Sequence, residues 1–309
     1  MSKLVEFYQS DIVDALYYFE YHGPRKDDLQ WIEQNEDVKK LHNIIKKIHF
    51  PRLKFFLPWI RNVIVTEDLH SINEIKKYII ENPPRGKTGE KIVNQIDKVG
   101  DVINEIIKLY QKKILTKKKK KELKKLRSQI QRKYSSQWRK LKKISVTLPG
   151  ISWEKKDPTI CFLYPIDGRL SFKLPYADVA YIETSEKMLE NDGLFLHELV
   201  KVLNYSKPLG SWVRQDKRGI RAIAYELFSE MQTIYILSKL HNRNPDFKEA
   251  VYDKLQNIWI PLIREETFFD EVELERILDQ AYKMLPNHEY DMLYQLGELY
   301  TEINIVKLT

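Results

Sequence analysis

One cysteine, Cys161, stands in a chain of 309 residues. That excludes a disulfide framework and any zinc site built from several thiolates, and it fits a reducing, cytoplasmic setting. Cys161 lies inside an apolar run and reads as a buried strand residue rather than a nucleophile. Glycine is scarce, at ten residues, and helical runs dominate between them. No stretch of about eighteen apolar residues occurs, so no membrane span is expected. The first residues, MSKLVEFYQSDIVDALYYF, carry acids and a helical period, unlike a signal peptide. No repeat of solenoid length appears. Gly86-Lys87-Thr88 imitates the end of a phosphate loop, but Glu81 stands where the first glycine is required and no strand precedes it.

What is present is charge and helix. Hydrophobic residues make up 43% and charged residues 31%, as in a soluble globular protein with a well-charged surface. The length admits two domains. Apolar spacing predicts a helix from Met1 to Tyr21, ended by His22-Gly23-Pro24, and another from Leu29 to His49. Ser71 with Glu74 is a capping-box signature for a helix to Ile80. Ile92, Ile96, Val99, Val102, Ile103 and Ile106 predict a further helix. Leu148-Pro149-Gly150 marks a boundary, with a helical domain at 1–148 and a second domain at 149–309. After it, Thr159–Ile166 reads as a strand, Asp167-Gly168 as a two-residue hairpin turn and Arg169–Leu174 as the return strand. Ala177–Thr184 reads as a third strand. Tyr205–Gly219 has little periodicity and reads as a loop carrying Trp212 and Arg214. Helices are expected again after His241. The expected class is mainly α (α+β), with a small antiparallel sheet followed by helices.

Charge is very unevenly placed. Lys112–Lys143 holds thirteen lysines, three arginines and one glutamate, a net +15. The whole chain is +8, so the remainder sums to 8 − 15 = −7. Ile114, Leu115, Leu123, Leu126, Ile130, Tyr134, Trp138 and Leu141 recur at steps of about three and four. The segment therefore reads as a long basic helix or helical hairpin, bent or frayed at Lys117–Lys121, where adjacent ammonium groups repel. Lys117, Lys118, Lys119, Lys120, Lys121, Lys124, Lys125, Arg132 and Trp138 form a candidate binding surface for nucleic acid or an acidic protein. An anionic membrane surface and a plain solvated helix face are the alternatives.

The second concentration of chemistry lies between Leu194 and Leu240. His197-Glu198-Leu199-Val200-Lys201 is one residue short of His-Glu-x-x-His, in which two imidazoles at i and i+4 bind zinc and the glutamate acts as base. Glu226 and Glu230 share a flank of a following helix at i, i+4. Tyr225 and Arg218 are candidate partners for an oxyanion or a substrate carboxylate. The plain reading makes all of these the solvated sides of two amphipathic helices.

The order of sheet, His-Glu helix, connection and Glu-bearing helix resembles the zincin metallopeptidases, in particular the gluzincins. The resemblance spans roughly residues 160–240. It implies a zincin-like fold and a peptide or protein substrate, with His197 and Glu226 as zinc ligands and Glu198 as general base. A further ligand would come from Glu230 or a histidine such as His241, and the strand Ala177–Thr184 would offer its edge to an extended peptide. Lys201 stands in the second-ligand position, and an ammonium has no lone pair for a metal. Two forms follow: an active zinc enzyme, or a metal-free pseudoenzyme with Lys201 in a salt-bridge cluster between Glu198 and Glu226. A third reading, outside enzymology, is a helical nucleic-acid-binding or scaffold protein acting through residues 112–143.

Overall fold

The structure, a computed structural model, describes residues 6–22, 53–84, 86–148, 159–165, 179–204, 207–215, 220–244 and 292–308, with a few single positions besides. The predicted hairpin at Asp167-Gly168, the return strand Arg169–Leu174 and nearly all of the predicted helix Leu29–His49 lie outside these residues.

The helix expected over Met1–Tyr21 does not include Glu6–Tyr8. Glu6–Tyr8 is instead a strand, β1, and the helix α1 covers Asp11–His22. Ser10 sets that boundary. Its hydroxyl accepts the amide of Ile12 at 3.2 Å, and its carbonyl accepts the amide of Asp14 at 3.0 Å, so it caps a helix that begins one residue later.

Two compact units follow from the packing. One comprises Tyr8–Arg127 with Cys161–Arg169. The other comprises Met1–Phe7, Ser128–Ile160 and Leu170–Thr309.

In the first unit α1 packs on α2 (Leu53–Thr66) and α5 (Ile96–Leu109), and α5 also receives α3 (Ile72–Glu81) and the short α4 (Lys87–Val93). Val13, Leu16, Ile60, Ile64, Ile75, Ile79, Ile103 and Ile106 are buried between them. The capping box at Ser71 forms as the sequence predicts: its hydroxyl accepts from Glu74 N, and Glu74 Oε2 accepts from Ser71 N at 2.9 Å. Gly89 is required by close approach, because a Cβ there would fall 1.7 Å from the Pro84 carbonyl oxygen.

The long basic helix, α6, covers Lys117–Ser145. The expected bend at Lys117–Lys121 is not there; those lysines form its first turns. The break comes earlier. Tyr110–Ile114 continues α5 as a π-helical turn, closed by a 2.8 Å bond from the Leu115 amide to the Tyr110 carbonyl. Thr116 then restarts the chain, its hydroxyl accepting the Lys119 amide at 3.3 Å and its carbonyl the Lys120 amide at 2.9 Å. A hydroxyl cap outweighs the like-charge repulsion that the run of lysines suggested. Within the first unit α6 is held to α1 by two carboxylates. Asp11 pairs with Lys120 at the surface, and Asp14 pairs with Arg127 at 2.9 Å, both side chains buried.

In the second unit α8 (Asp192–Asn204) packs on α10 (Ile220–His241) and on β3 (Val179–Glu183). The short α7 (Lys187–Glu190) precedes α8, and α11 (Met292–Leu308) packs on α10. Where the sequence predicts a loop over residues 205–219, a helix α9 forms at Lys207–Arg214. Arg221 accounts for its docking: the guanidinium lies over the rings of Trp212 and Tyr300 at 5.1 and 5.4 Å and donates to the Trp212 carbonyl at 3.0 Å. The later part of α6 contributes Tyr134, whose ring stacks on Phe195 with centroids 3.6 Å apart. Its hydroxyl bonds the Met188 carbonyl at 2.9 Å.

The sheet is a correction. The strands β1, β2 (Thr159–Leu163) and β3 lie in that order, and they run parallel, not antiparallel. The connection from β2 to β3, residues 164–178, is long enough for a parallel crossover, which needs about a dozen residues or more. Every residue of β2 and β3 is buried. Such unbroken apolar strands belong to sheets covered on both faces, whereas a half-exposed hairpin alternates.

The two carboxylates of α1 make unequal contributions. Arg127→Leu leaves Asp14 buried and uncompensated, and urea denaturation is expected to show a loss of about 3–5 kcal/mol. Lys120→Gln, at the exposed pair with Asp11, should cost less than about 1 kcal/mol.

Candidate functional site: a buried ion cluster on two helices

Helix α8 starts under local control. Asn191 Oδ1 accepts the Gly193 amide at 2.8 Å, and Asp192 places a negative charge in the first turn, at the positive end of the helix dipole. From Phe195 to Asn204 every residue is buried. Helix α10 is buried almost without interruption from Ile220 to Leu240. The expected solvated flanks do not exist. The polar side chains of these helices are enclosed, and each must find a partner or carry a large desolvation cost.

They find one another. His197, Lys201 and Asn204 recur at i, i+4 and i+7 on α8, and Glu226, Glu230 and Gln232 face them from α10. His197 Nε2 lies 3.1 Å from Glu226 Oε2, and its Nδ1 lies 2.8 Å from Glu230 Oε2. The Lys201 ammonium lies 2.9 Å from Glu226 Oε1 and 3.8 Å from Glu198 Oε1. Asn204 donates to the Gln232 amide oxygen. The Tyr225 hydroxyl donates to the Lys201 carbonyl at 2.6 Å, so Tyr225 ties α10 to α8. No member of the His197, Glu198, Lys201, Glu226 and Glu230 set exceeds 5% exposure.

The electrostatics follow from this enclosure. Burial alone would lower the pKa of His197, but Glu230 and Glu226 outweigh it and raise it to about 9. Burial would likewise strip Lys201 of its proton, and Glu198 and Glu226 reverse that, holding it above the ordinary lysine value. Burial would raise Glu226, yet Lys201 and His197 bring it down to about 2. At neutral pH His197 is therefore an imidazolium and Lys201 an ammonium, both set against the Glu226 carboxylate.

Neither the family models nor the curated proteins nor the solved structures compared with this chain match it.

The sequence-predicted residues divide into those the fold assembles and those it does not. His197, Glu198 and Glu226 come together, with Glu230 as a fourth member. His241, the nearest other histidine, goes elsewhere: its Nε2 sits 3.1 Å from Asp192 Oδ2 at the exposed end of α10. Arg218 lies outside the described residues. Of the basic surface, Lys117–Lys121, Lys124, Lys125 and Arg132 are exposed, whereas Trp138 is 1% exposed and Tyr134 fully buried. Their rings fill the core beneath α6 and present no stacking face. Asn204 and Gln232 were missed by sequence reasoning. The signal was available: a polar residue at i, i+4 and i+7 on a helix whose remaining positions are apolar marks a buried polar stripe as readily as a wet one.

Zinc is the group that the resemblance implies, and the donor set does not fit it. A metal ligand needs a lone pair directed at the ion, but His197 Nε2 is hydrogen-bonded to Glu226, and Nδ1 lies 2.8 Å from Glu230 Oε2 without hydrogen-bond alignment. The i+4 position holds an ammonium. Among the described residues no group of three or more His, Cys, Asp or Glu is arranged to hold a metal ion.

The cluster has a definite pH signature. The folded pKa of His197, about 9, lies above the ordinary value of 6.5. Its stabilisation is thus complete below pH about 6.5 and lost as the pH rises through about 9. The Glu226 contribution runs the other way, present above the ordinary value of 4.5 and lost as the pH falls toward about 2. Urea denaturation between pH 6 and 10 is expected to show wild type losing stability relative to His197→Gln as the pH rises. A difference that stays flat or grows would refute the ion-paired imidazolium.

Proposed function

We propose that this chain is a non-hydrolytic protein with a gluzincin-like helix pair, in which the ammonium of Lys201 stands where a metal would be. Its role would be to bind an anionic partner through the exposed lysines of α6. The observation that carries the first half is the 2.9 Å contact between Lys201 Nζ and Glu226 Oε1. Glu226 is the expected third ligand and Lys201 the expected second-ligand position, so the cation and the carboxylate meet at the place the motif assigns to the ion. Opposite charge is neutralised there without a metal.

The same geometry argues against hydrolysis. A zinc peptidase lowers the pKa of a bound water and lets a nearby carboxylate take its proton. Glu198 is 5% exposed and has the Lys201 ammonium for a neighbour. Enclosed in this way beside an ammonium, Glu198 is poorly placed to take a proton from water next to a peptide. The cluster instead joins α8 to α10. Breaking one partner of such a buried set costs about 3–5 kcal/mol, because the others are left charged and enclosed.

Metal analysis tests this reading. Purified wild type is expected to contain no stoichiometric zinc. Lys201→His removes the ammonium, supplies the missing imidazole and should acquire about one zinc per chain, with a rise in melting temperature on zinc addition. Stoichiometric zinc in wild type, with peptide hydrolysis abolished by a chelator and by Glu198→Gln, would overturn it. Lys201→Met is the control for the charge alone: it should lose about 3–5 kcal/mol of stability without gaining metal.

A further inference from the structure

The partner of α6 can be narrowed by what its exposed face lacks. In the segment 117–127 there are seven lysines, Lys117 to Lys121 with Lys124 and Lys125, and all are exposed. The single arginine, Arg127, is buried on Asp14 and does not take part. At 100° per residue, Lys120, Leu123 and Arg127 fall on one side of the helix, the side held by Asp11 and Asp14 of α1. Lys117, Lys118, Lys121, Lys124 and Lys125 fall on an arc of about 120° turned away from it, over about 12 Å of helix. Glu122 is the only acidic residue of the segment.

The placement works against stability. Cationic side chains sit in the first turns of α6, at the positive end of its dipole, and repel one another. Dense negative charge brought to this arc relieves both penalties, so the arc is built for an anion of high charge density.

The chemistry of the arc then selects among polyanions. Carboxylates are best matched by the planar arginine fork, and the arc has only point-charge ammoniums, which suit phosphate oxygens. A membrane-surface helix buries an apolar face among lipids, but here Leu123 and Leu126 are half-buried and Ile130 fully buried. Single strands are gripped by stacking their bases on aromatic rings. The aromatic side chains of α6, Tyr134 and Trp138, are both buried. A double helix needs neither stacking nor insertion, and it presents about one phosphate charge per 1.7 Å.

We infer that Lys117, Lys118, Lys121, Lys124 and Lys125 form a docking face for the phosphate backbone of a nucleic-acid duplex, read by charge and without base contacts. This specifies the anionic partner of the function proposed above and rests on that reading for α6 alone.

The test is fluorescence anisotropy of the full chain with a labelled 20-base-pair duplex, as DNA and as RNA, from 50 to 300 mM salt. Competitors are the corresponding single strand, a poly-glutamate peptide and phosphatidylserine vesicles. The expected result is tighter binding to duplex than to any competitor. Binding should weaken steeply with salt, with little difference between two unrelated sequences. The variant carrying Lys117→Gln, Lys118→Gln, Lys121→Gln and Lys125→Gln should reduce the salt slope by about 3 to 4, from about 0.9 per neutralised phosphate. Its circular dichroism should match wild type and its melting temperature should be equal or higher, since the four changes relieve repulsion and none touches the Lys120 or Arg127 pairs. An equivalent set of four exposed lysines outside α6 serves as the charge control and should change the slope less. Equal or tighter binding to vesicles or peptide would overturn the assignment, as would preference for single strands or an unchanged slope in the folded variant. Zinc content and peptide hydrolysis, measured on the same preparation, separate this outcome from the fate of the Lys201 reading. A zinc-bound hydrolase that still binds duplex would refute that reading and leave this one standing.

Discussion

The second unit is organised by one requirement: two basic and three acidic side chains enclosed between α8 and α10 must satisfy one another. Lys201 is the pivot. Its ammonium meets Glu226 at 2.9 Å and Glu198 at 3.8 Å, while the other oxygen of Glu226 is taken by His197. Glu230 closes the set on the second imidazole nitrogen. Glu226 holds its charge because His197 and Lys201 hold theirs beside it. A carboxylate drawn down to about 2 and an imidazole raised to about 9 are two sides of one interaction. Such a cluster is a poor source of net stability compared with a well-packed apolar interface, yet it tolerates no single deletion. It also sets register. Sliding α8 by one turn against α10 would exchange the partners of His197 and Lys201 and leave one end of the polar stripe unmatched.

That requirement reshapes the meaning of the His-Glu string. In a metal enzyme the same residues surround an ion and leave a coordination position open to water. Here the i+4 position holds an ammonium, and the helical spacing that would present two imidazoles to zinc presents His197 and Lys201 to Glu226.

Parts of this were visible in the chain and parts were not. The capping box at Ser71 and Glu74 is a local exchange of hydrogen bonds, and it forms as its four residues dictate. The apolar stripe of α6 was legible from its steps of three and four, and Ile130, Tyr134, Trp138 and Leu141 are buried accordingly. The same stripe was misread at Trp138, whose ring was assigned to the surface although it falls on the buried row. The convergence of His197 with Glu226 was legible as a motif. The burial of the whole set was not, because a polar flank looks the same in sequence whether it meets water or another polar flank. Helix α9 escaped because periodicity is weak over eight residues, and Arg221, which clamps Trp212, lies beyond it in the chain.

The sequence by itself determined the helical character of the protein, the concentration of positive charge in one helix and the pairing of residue types at the ion cluster. These depend on neighbours within a turn or two, where spacing alone decides which side chains share a face. The tertiary structure decided the direction of the strands, the enclosure of His197, Lys201 and the glutamates, and which face of α6 remained open to a partner. An antiparallel sheet was the local expectation, but β2 and β3 run parallel, each buried along its whole length. Pairing direction and burial are set by what packs over an element, and that information belongs to segments far apart in the chain.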